Sequence, residues 1–140
     1  MKPSSSRRNR GFTLIEVLLV LVILVVLASL ATVNILSAQK SARLKTAKLQ
    51  IELLDHACDH YQLDIGSYPS NLQSLRFRPN DIPDPAKWEG PYLSKDVPVD
   101  PWNNQYQYMP QGQHNQGKPD IWTVSMDNNQ TIGNWEDEKR

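Results

Sequence analysis

A carboxylate inside an apolar stretch is the residue of this sequence whose position most demands a chemical explanation. Glu16 lies near the beginning of a run from 12 to 33 in which only three other residues are polar. A carboxylate is costly within a membrane and normally acquires a partner there. No basic residue lies in the run, but cutting the chain between Gly11 and Phe12 would create a positive amine at Phe12. Glu16 could then face the amine of a neighbouring subunit; the alternative is an inert anchor on which Glu16 reaches the membrane surface.

Two further groups of residues suggest chemistry by their type. Glu52, His56 and His60 are four residues apart, so that they share one face of a helix in the spacing of a metal-binding ridge. The alternative is a solvated helix face, which is favoured because nothing would enclose a metal there. Cys58 is the sole cysteine, so no intramolecular disulfide can form, and its position on an apolar stripe predicts a small buried side chain.

The run from 12 to 33 must position Glu16. As a helix, it would extend roughly 33 Å at about 1.5 Å per residue, close to the thickness of a bilayer core. A secretory signal cut after Ala31 is the alternative, although such signals have shorter apolar cores. Basic residues flank the run equally on both sides, and we place the short N-terminal tail inside because long domains translocate regardless of charge.

The residues around this run resemble a known processing signal. The motif is Arg10-Gly11-Phe12-Thr13-Leu14-Ile15-Glu16 after a basic leader. It resembles the class III signal of type IV pilins and type II secretion pseudopilins. The resemblance implies a leader at 1–11, a prepilin peptidase that cuts after Gly11 and methylates Phe12, and an assembly role for Glu16.

The chain after the run predicts a small head built on the same helix. The helix continues over 34–65 with one apolar stripe and ends at Gly66. The stripe consists of Leu44, Ala47, Ile51, Leu54, Cys58 and Tyr61. Ser70 is expected to cap a short helix that carries Leu72 and Leu75.

The second half of the head is predicted to cover the stripe. The segment 79–101 is too rich in proline for regular structure, and Trp88, Tyr92 and Leu93 are expected to fix it onto the helix. Strands are predicted at 106–109 and 121–124, joined through a turn at 111–118. The fold class is therefore α+β: a long N-terminal helix, transmembrane and then amphipathic, packed against a Pro-rich loop and a small antiparallel sheet.

These later segments narrow the resemblance to the G-type major pseudopilins of type II secretion systems, within the type IV pilin-like superfamily. The matching segments are 66–69, 72–75, 90–93, 97–103, 106–108, 120–125 and 132–135. The resemblance implies three parts: a cleaved leader at 1–11, a transmembrane and fibre-core helix at 12–33, and a periplasmic head at 34–140. It also implies a single-pass inner-membrane protein that is extracted into a periplasmic pseudopilus driving secretion across the outer membrane.

The partners implied by the resemblance are other copies of the chain, minor pseudopilins, prepilin peptidase and an inner-membrane assembly platform. A cytoplasmic ATPase would supply energy, because the chain has no Gly-rich phosphate loop. Nucleic acid is not an expected partner, since the cleaved chain would carry 11 basic and 15 acidic residues, a net charge of −4.

Two alternatives to this function stay open. One is a pilin-like subunit of another type IV pilus, and the other is a membrane-tethered binding module or enzyme. Against an enzyme, no Ser/His/Asp, Cys/His or paired-carboxylate set is justified by spacing. The chain is therefore expected to be structural and not catalytic.

Calcium is the one cofactor that the resemblance suggests. G-type pseudopilins close a C-terminal loop around calcium, and Asp127 resembles the first acidic ligand. The rest of the loop offers only neutral oxygens, from Asn128, Asn129 and Thr131, whereas calcium favours several oxygens with negative charge. The alternative is a shortened loop held by side-chain amides and by burial of Trp135.

Overall fold

The computed structural model describes residues 11–135, except the side chains at 30–34 within a helix. The first element is helix α1, Leu14–Ile65. Two short 3-10 helices follow at Leu72–Leu75 and Pro85–Lys87, and then strands β1 (Gln107–Met109), β2 (Asp120–Val124) and β3 (Thr131–Gly133). Most of the predicted leader, 1–10, and the charged end, 136–140, lie outside the described residues.

The chain divides into two compact units, Met1–Gln39 and Lys40–Arg140. In the first unit, the described part of α1 carries its apolar side chains in exposed positions, from Leu14 onwards. Within the described residues, no helix combines the length and the hydropathy that a membrane crossing requires. The span predicted at 12–33 stays a prediction, and its side chains at 30–33 are outside the description.

The second unit confirms the predicted stripe of α1. Ala47, Ile51, Leu54, Cys58 and Tyr61 are buried, and Leu44 packs against them from a half-buried position. Their spacing of three and four residues places them on one face, so that one side of the helix forms part of the hydrophobic core. Burial, and then the charge of Asp55, raise the pKa of the Cys58 thiol to about 12, as expected for an unreactive core cysteine.

Gly66 ends α1 as predicted. Its φ of 89° is a left-handed conformation that residues with a side chain rarely adopt, and its N–H donates to the Gln62 carbonyl at 2.8 Å. The short helix that follows is a 3-10 helix with Leu72 and Leu75 buried. The prediction that Ser70 caps it is wrong: Asn71 accepts the Ser74 N–H at 3.1 Å. Asparagine and serine are both good caps, and sequence alone did not separate neighbours.

The Pro-rich segment is ordered against the helix, as predicted. Leu93 is buried, and Trp88 and Tyr92 pack against the core. The Tyr92 hydroxyl donates to Asp64 Oδ2 at 2.8 Å, and its ring meets Tyr61 edge-on at 5.5 Å. Burial and then the bond to Asp64 raise the pKa of Tyr92 to about 12. The 3-10 helix at Pro85–Lys87 was not predicted in this segment.

The described sheet has three antiparallel strands in the order β1-β2-β3. The two predicted strands are confirmed with slightly different bounds, and Tyr108 pairs with Ile121. The third strand was not predicted: Ile132 pairs with Thr123. Three residues with a single buried side chain give too short an alternation to identify a strand from sequence. Ile121 and Ile132 bring the sheet into the core.

Asn134 links α1, the sheet and the long turn at 111–118 by hydrogen bonds. Its Nδ2 donates to Asp55 Oδ1 at 2.7 Å and to the Pro119 carbonyl at 2.9 Å. Its Oδ1 accepts the N–H of Ile121 at 3.0 Å and Nδ2 of Asn115 at 2.9 Å. All four hydrogen-bonding positions of the amide are thus used.

Asp120 is the buried acceptor that shapes the long turn. It is 1% exposed and receives the backbone N–H groups of Gln113, His114 and Asn115 at 2.7 to 3.0 Å. Burial alone would raise the pKa of Asp120, but these N–H donors and the His114 ring lower it below its usual value. The His114 ring in turn stacks on Trp135, with centroids 4.0 Å apart.

Replacing Asn134 with alanine is expected to lower the free energy of unfolding by roughly 2–4 kcal/mol, because it leaves several partly buried groups without partners. The measurement is urea unfolding followed by tryptophan fluorescence. Asn128→Ala is the matched control: among the described residues its exposed amide bonds only to Gln130 two residues away, and a change within about 0.5 kcal/mol is expected. Equal effects of the two substitutions would contradict the linking role of Asn134.

Asp120 should also contribute to the loss of stability that the head shows at low pH. Because its folded-state pKa lies below the usual value, its stabilisation is present above the unfolded pKa and is lost as pH falls through the folded pKa. Unfolding free energies measured between about pH 7 and pH 3 should therefore fall less steeply in Asp120→Asn, from a lower starting value. Asn128→Ala, which removes no titratable group, should keep the slope of the original chain. An unchanged slope in Asp120→Asn would refute the assignment.

Candidate functional site

The first described turn of α1 holds Glu16 in a capping box. The backbone N–H of Thr13 donates to Glu16 Oε2 at 2.9 Å, and its hydroxyl donates to the same oxygen at 3.0 Å. In return, the Glu16 N–H donates to the Thr13 hydroxyl at 3.4 Å. These bonds satisfy backbone donors that a helix start otherwise leaves unpaired.

This local role of Glu16 was missed in the sequence, although its signal is present. Thr13 and Glu16 form the pattern Thr-x-x-Glu directly before an apolar helix. The capping box directs the carboxylate back toward the N-terminal end of α1, next to Phe12. Both described side-chain contacts use Oε2, so that within the described residues Oε1 is left for a further donor.

Gly11 has no role in the described fold that requires a glycine. A methyl group added there would meet no atom within 4 Å, and its backbone is not in the left-handed region. Phe12 beside it is 88% exposed. The two residues of the predicted cut are therefore exposed within the described chain, and the described fold does not itself require a glycine at position 11.

The C-terminal loop forms a second candidate site, in the other unit. Asp100 is buried and holds the segment that follows it, accepting the N–H groups of Trp102 at 2.9 Å and Asn104 at 2.7 Å. Its second oxygen accepts the Thr123 hydroxyl from β2. This arrangement explains why an Asp-Pro-Trp-Asn segment occurs here: the aspartate closes the turn and fixes the tryptophan in place.

Asp127 lies where the fixed tryptophan reaches the loop. Its Oδ2 accepts the indole N–H of Trp102 at 3.0 Å, and its Oδ1 is 3.5 Å from Nη1 of Arg43 on α1. The loop beyond it is closed locally, with the Ser125 N–H donating to the Gln130 carbonyl at 2.8 Å. Neither the Arg43 contact nor the Trp102 bond was predicted from the sequence.

The donor set around Asp127 does not suit calcium. That ion takes about six to eight oxygens, several of them charged. Here one carboxylate oxygen faces a guanidinium, and the other accepts an indole N–H. The nearby amide oxygen of Asn128 accepts the Gln130 N–H, and the Ser125 carbonyl accepts the Asn129 N–H. Within the described residues, no cluster of three or more metal-binding side chains is present.

The residues of the predicted metal ridge lie on an exposed face of α1. Glu52, His56 and His60 are exposed, and the described structure does not bring them together as a metal site. The exposure of the three side chains agrees with a solvated helix face. Amides do hold part of the C-terminal loop, as the alternative to calcium proposed, since Asn128 Nδ2 donates to Gln130 Oε1 at 3.1 Å.

The fold defines the class first: a long N-terminal helix whose second half packs on a three-stranded antiparallel sheet is the architecture of a type IV pilin-like subunit. Two family models then match. The model for type II secretion system protein G covers residues 34–138, and the model for the prokaryotic N-terminal methylation motif covers residues 6–32. The chain belongs to the type II secretion system protein G family.

Relatives and a solved structure agree with this assignment. The type II secretion system core protein G of Pseudomonas aeruginosa is 37% identical, over 93% of this chain and 97% of the relative. That of Aeromonas hydrophila is 39% identical, over 92% and 94%. A crystal structure of the major pseudopilin from the type 2 secretion system of enterohaemorrhagic Escherichia coli matches with a TM-score of 0.60 and 28% identity, covering 73% of this chain and 94% of that one.

Proposed function

We propose that this chain is the major structural subunit of a type II secretion pseudopilus, and that it is not an enzyme. The observation that carries the proposal is a processing motif placed directly at the start of a long helix, on a head of the pseudopilin fold. Family membership favours this function over a subunit of another type IV pilus. Copies of the chain polymerise, and growth of the fibre moves cargo across the outer membrane.

The head supports this role because its core is complete without the N-terminal part of the chain. The core cluster runs from Leu44 to Ile132, all within Lys40–Arg140. The apolar side chains from Leu14 to Leu27 make no part of it, and all of them are about half exposed or more. Such a surface needs cover. The bilayer covers it in the single-pass precursor, and neighbouring helices cover it in the fibre.

The expected surroundings follow from this life cycle. The precursor resides in the inner membrane with its head in the periplasm, and prepilin peptidase removes residues 1–11. An assembly platform then extracts the subunit into a fibre that also contains minor pseudopilins. A cytoplasmic ATPase supplies the energy.

Cleavage is tested first. Mass spectrometry of the chain from cells that contain prepilin peptidase is expected to show Phe12, carrying one added methyl group, as the first residue. Gly11→Leu should remain a precursor, because a peptidase that requires glycine would reject the larger side chain. Open space around Gly11 means that this substitution leaves the fold unchanged, which circular dichroism can check. A chain that begins at Thr32, or at Met1 in the original sequence, would refute the proposal.

The charge of Glu16 is tested by two substitutions. Glu16→Gln keeps an acceptor for the Thr13 donors, as capping boxes allow, but it removes the charge; Glu16→Ala removes both. If Glu16 pairs with the amine of a neighbouring Phe12, both variants should be processed normally and yet assemble roughly tenfold less or worse, since a desolvated pair has lost one partner. The measurement is the amount of assembled fibre recovered per cell.

Secretion of exoenzymes should fall in parallel with fibre yield in these two variants. Normal assembly by Glu16→Gln together with failure of Glu16→Ala would show that only the capping box matters. Leu18→Met is the control, because it changes an exposed apolar residue of the same helix without changing charge or capping.

A further inference from the structure

We propose that Arg43 is the built-in cation of the C-terminal loop, so that the head of this chain closes without calcium. The guanidinium lies on α1 and the carboxylate that it meets lies on the loop after β2. The inference rests on contacts within Lys40–Arg140 and does not depend on the fibre role.

The position of Asp127 is defined from two sides by donors. Trp102 donates its indole N–H to Oδ2 at 3.0 Å, and Arg43 places Nη1 3.5 Å from Oδ1. The carboxylate is mostly covered, with its side chain 18% exposed, whereas that of Arg43 is 47% exposed. One covered negative charge thus has one positive charge and one neutral donor beside it.

Charge balance explains why a guanidinium suits this loop better than a divalent ion. A doubly charged cation needs a site with more than one carboxylate, and Asp127 is the only acidic residue between β2 and β3. Arg43 supplies a single positive charge that balances the single carboxylate. A guanidinium also keeps its charge throughout the physiological pH range.

The two buried carboxylates of the described head, Asp100 and Asp120, are not free to complete a metal site. Asp100 orients Trp102, and both of its oxygens accept hydrogen bonds. The donors are the Trp102 N–H, the Asn104 N–H and the Thr123 hydroxyl. Asp120 accepts bonds from the long turn. Within the described residues, Asp127 therefore has Arg43 as its charged partner.

The contact joins distant parts of the chain. Arg43 precedes Ala47, a fully buried residue at the start of the described core stripe, by one turn. Asp127 follows β2, and β3 returns to the sheet after it. The ion pair therefore links the loop to α1 beside the end of its buried stripe.

The first test compares full-length chain in detergent micelles with calcium and with chelator. All four tryptophans lie between 88 and 135, so their fluorescence follows the head. Calcium chloride at about 1 mM, the concentration that extracellular calcium modules need, should leave the melting temperature equal to that in EGTA within about 1 °C. A saturable rise of several degrees with calcium, absent with magnesium at equal ionic strength, would overturn the proposal and support the calcium site predicted at Asp127.

The second test removes the cation. Arg43→Gln is expected to lower the melting temperature by roughly 2–5 °C, a modest change because the pair is partly solvated. The loss should shrink in high salt, which screens an ion pair. Lys45→Gln is the matched control: it makes the same charge change on the same helix, and among the described ion pairs none involves Lys45. Equal losses in both variants would show a general charge effect and overturn the proposal.

A double-mutant cycle isolates the pair. Arg43→Gln in an Asp127→Asn background should cost little beyond Asp127→Asn alone, since the charge that the arginine balances is already gone. Additive losses from the two substitutions would overturn the assignment. Trp102→Phe keeps an aromatic ring but removes the indole donor. In this background, Arg43→Gln should still lower the melting temperature.

Discussion

Burial of one face of α1 is the interaction on which the described head depends. The buried face of α1 is a continuous apolar surface that includes Ala47, Ile51, Leu54 and Cys58. The Pro-rich segment and the sheet are held in place by the apolar side chains that they pack against this surface. The sheet is small and could not be stable alone, since short strands need a packed face. Tyr106 shows the coupling in one residue: it is buried, and its hydroxyl donates to Gln50 Oε1 on the helix at 2.6 Å. With no disulfide available, this packing carries the stability of the head.

Polar side chains then determine how the irregular segments lie over the buried face of α1. Asp100, Asp120 and Asn134 each collect several backbone groups that no strand or helix would otherwise satisfy. This use of carboxylates and an amide is costly when incomplete, because buried polar groups without partners destabilise a fold. It allows a chain with ten prolines to keep an ordered head with little regular structure. Asp127 continues the pattern, with the difference that one of its partners is a full positive charge.

The two ends of the chain use acidic residues in contrasting ways. Glu16 caps a helix start that is exposed within the described chain, and its second oxygen has no described contact, so that its remaining capacity suits a partner from outside. Asp127 has both oxygens engaged by Arg43 and Trp102 and has little capacity for an external ion. Both residues carry a carboxylate, but the surrounding donors decide whether an oxygen of that carboxylate stays available to an outside partner or is engaged within the head.

The local pattern of the chain was sufficient to predict the helix, its buried face, its end at Gly66, two of the strands and the family. Each of these depends on periodicity, glycine chemistry or a contiguous motif, which are properties of neighbouring residues. The sequence also contained the capping box of Thr13 and Glu16, which was overlooked. Only the tertiary structure placed Arg43 beside Asp127 and paired β3 with β2, because these contacts join residues far apart along the chain. No local spacing encodes such a contact, and so the donors around Asp127 became known only once the core had brought helix and loop together.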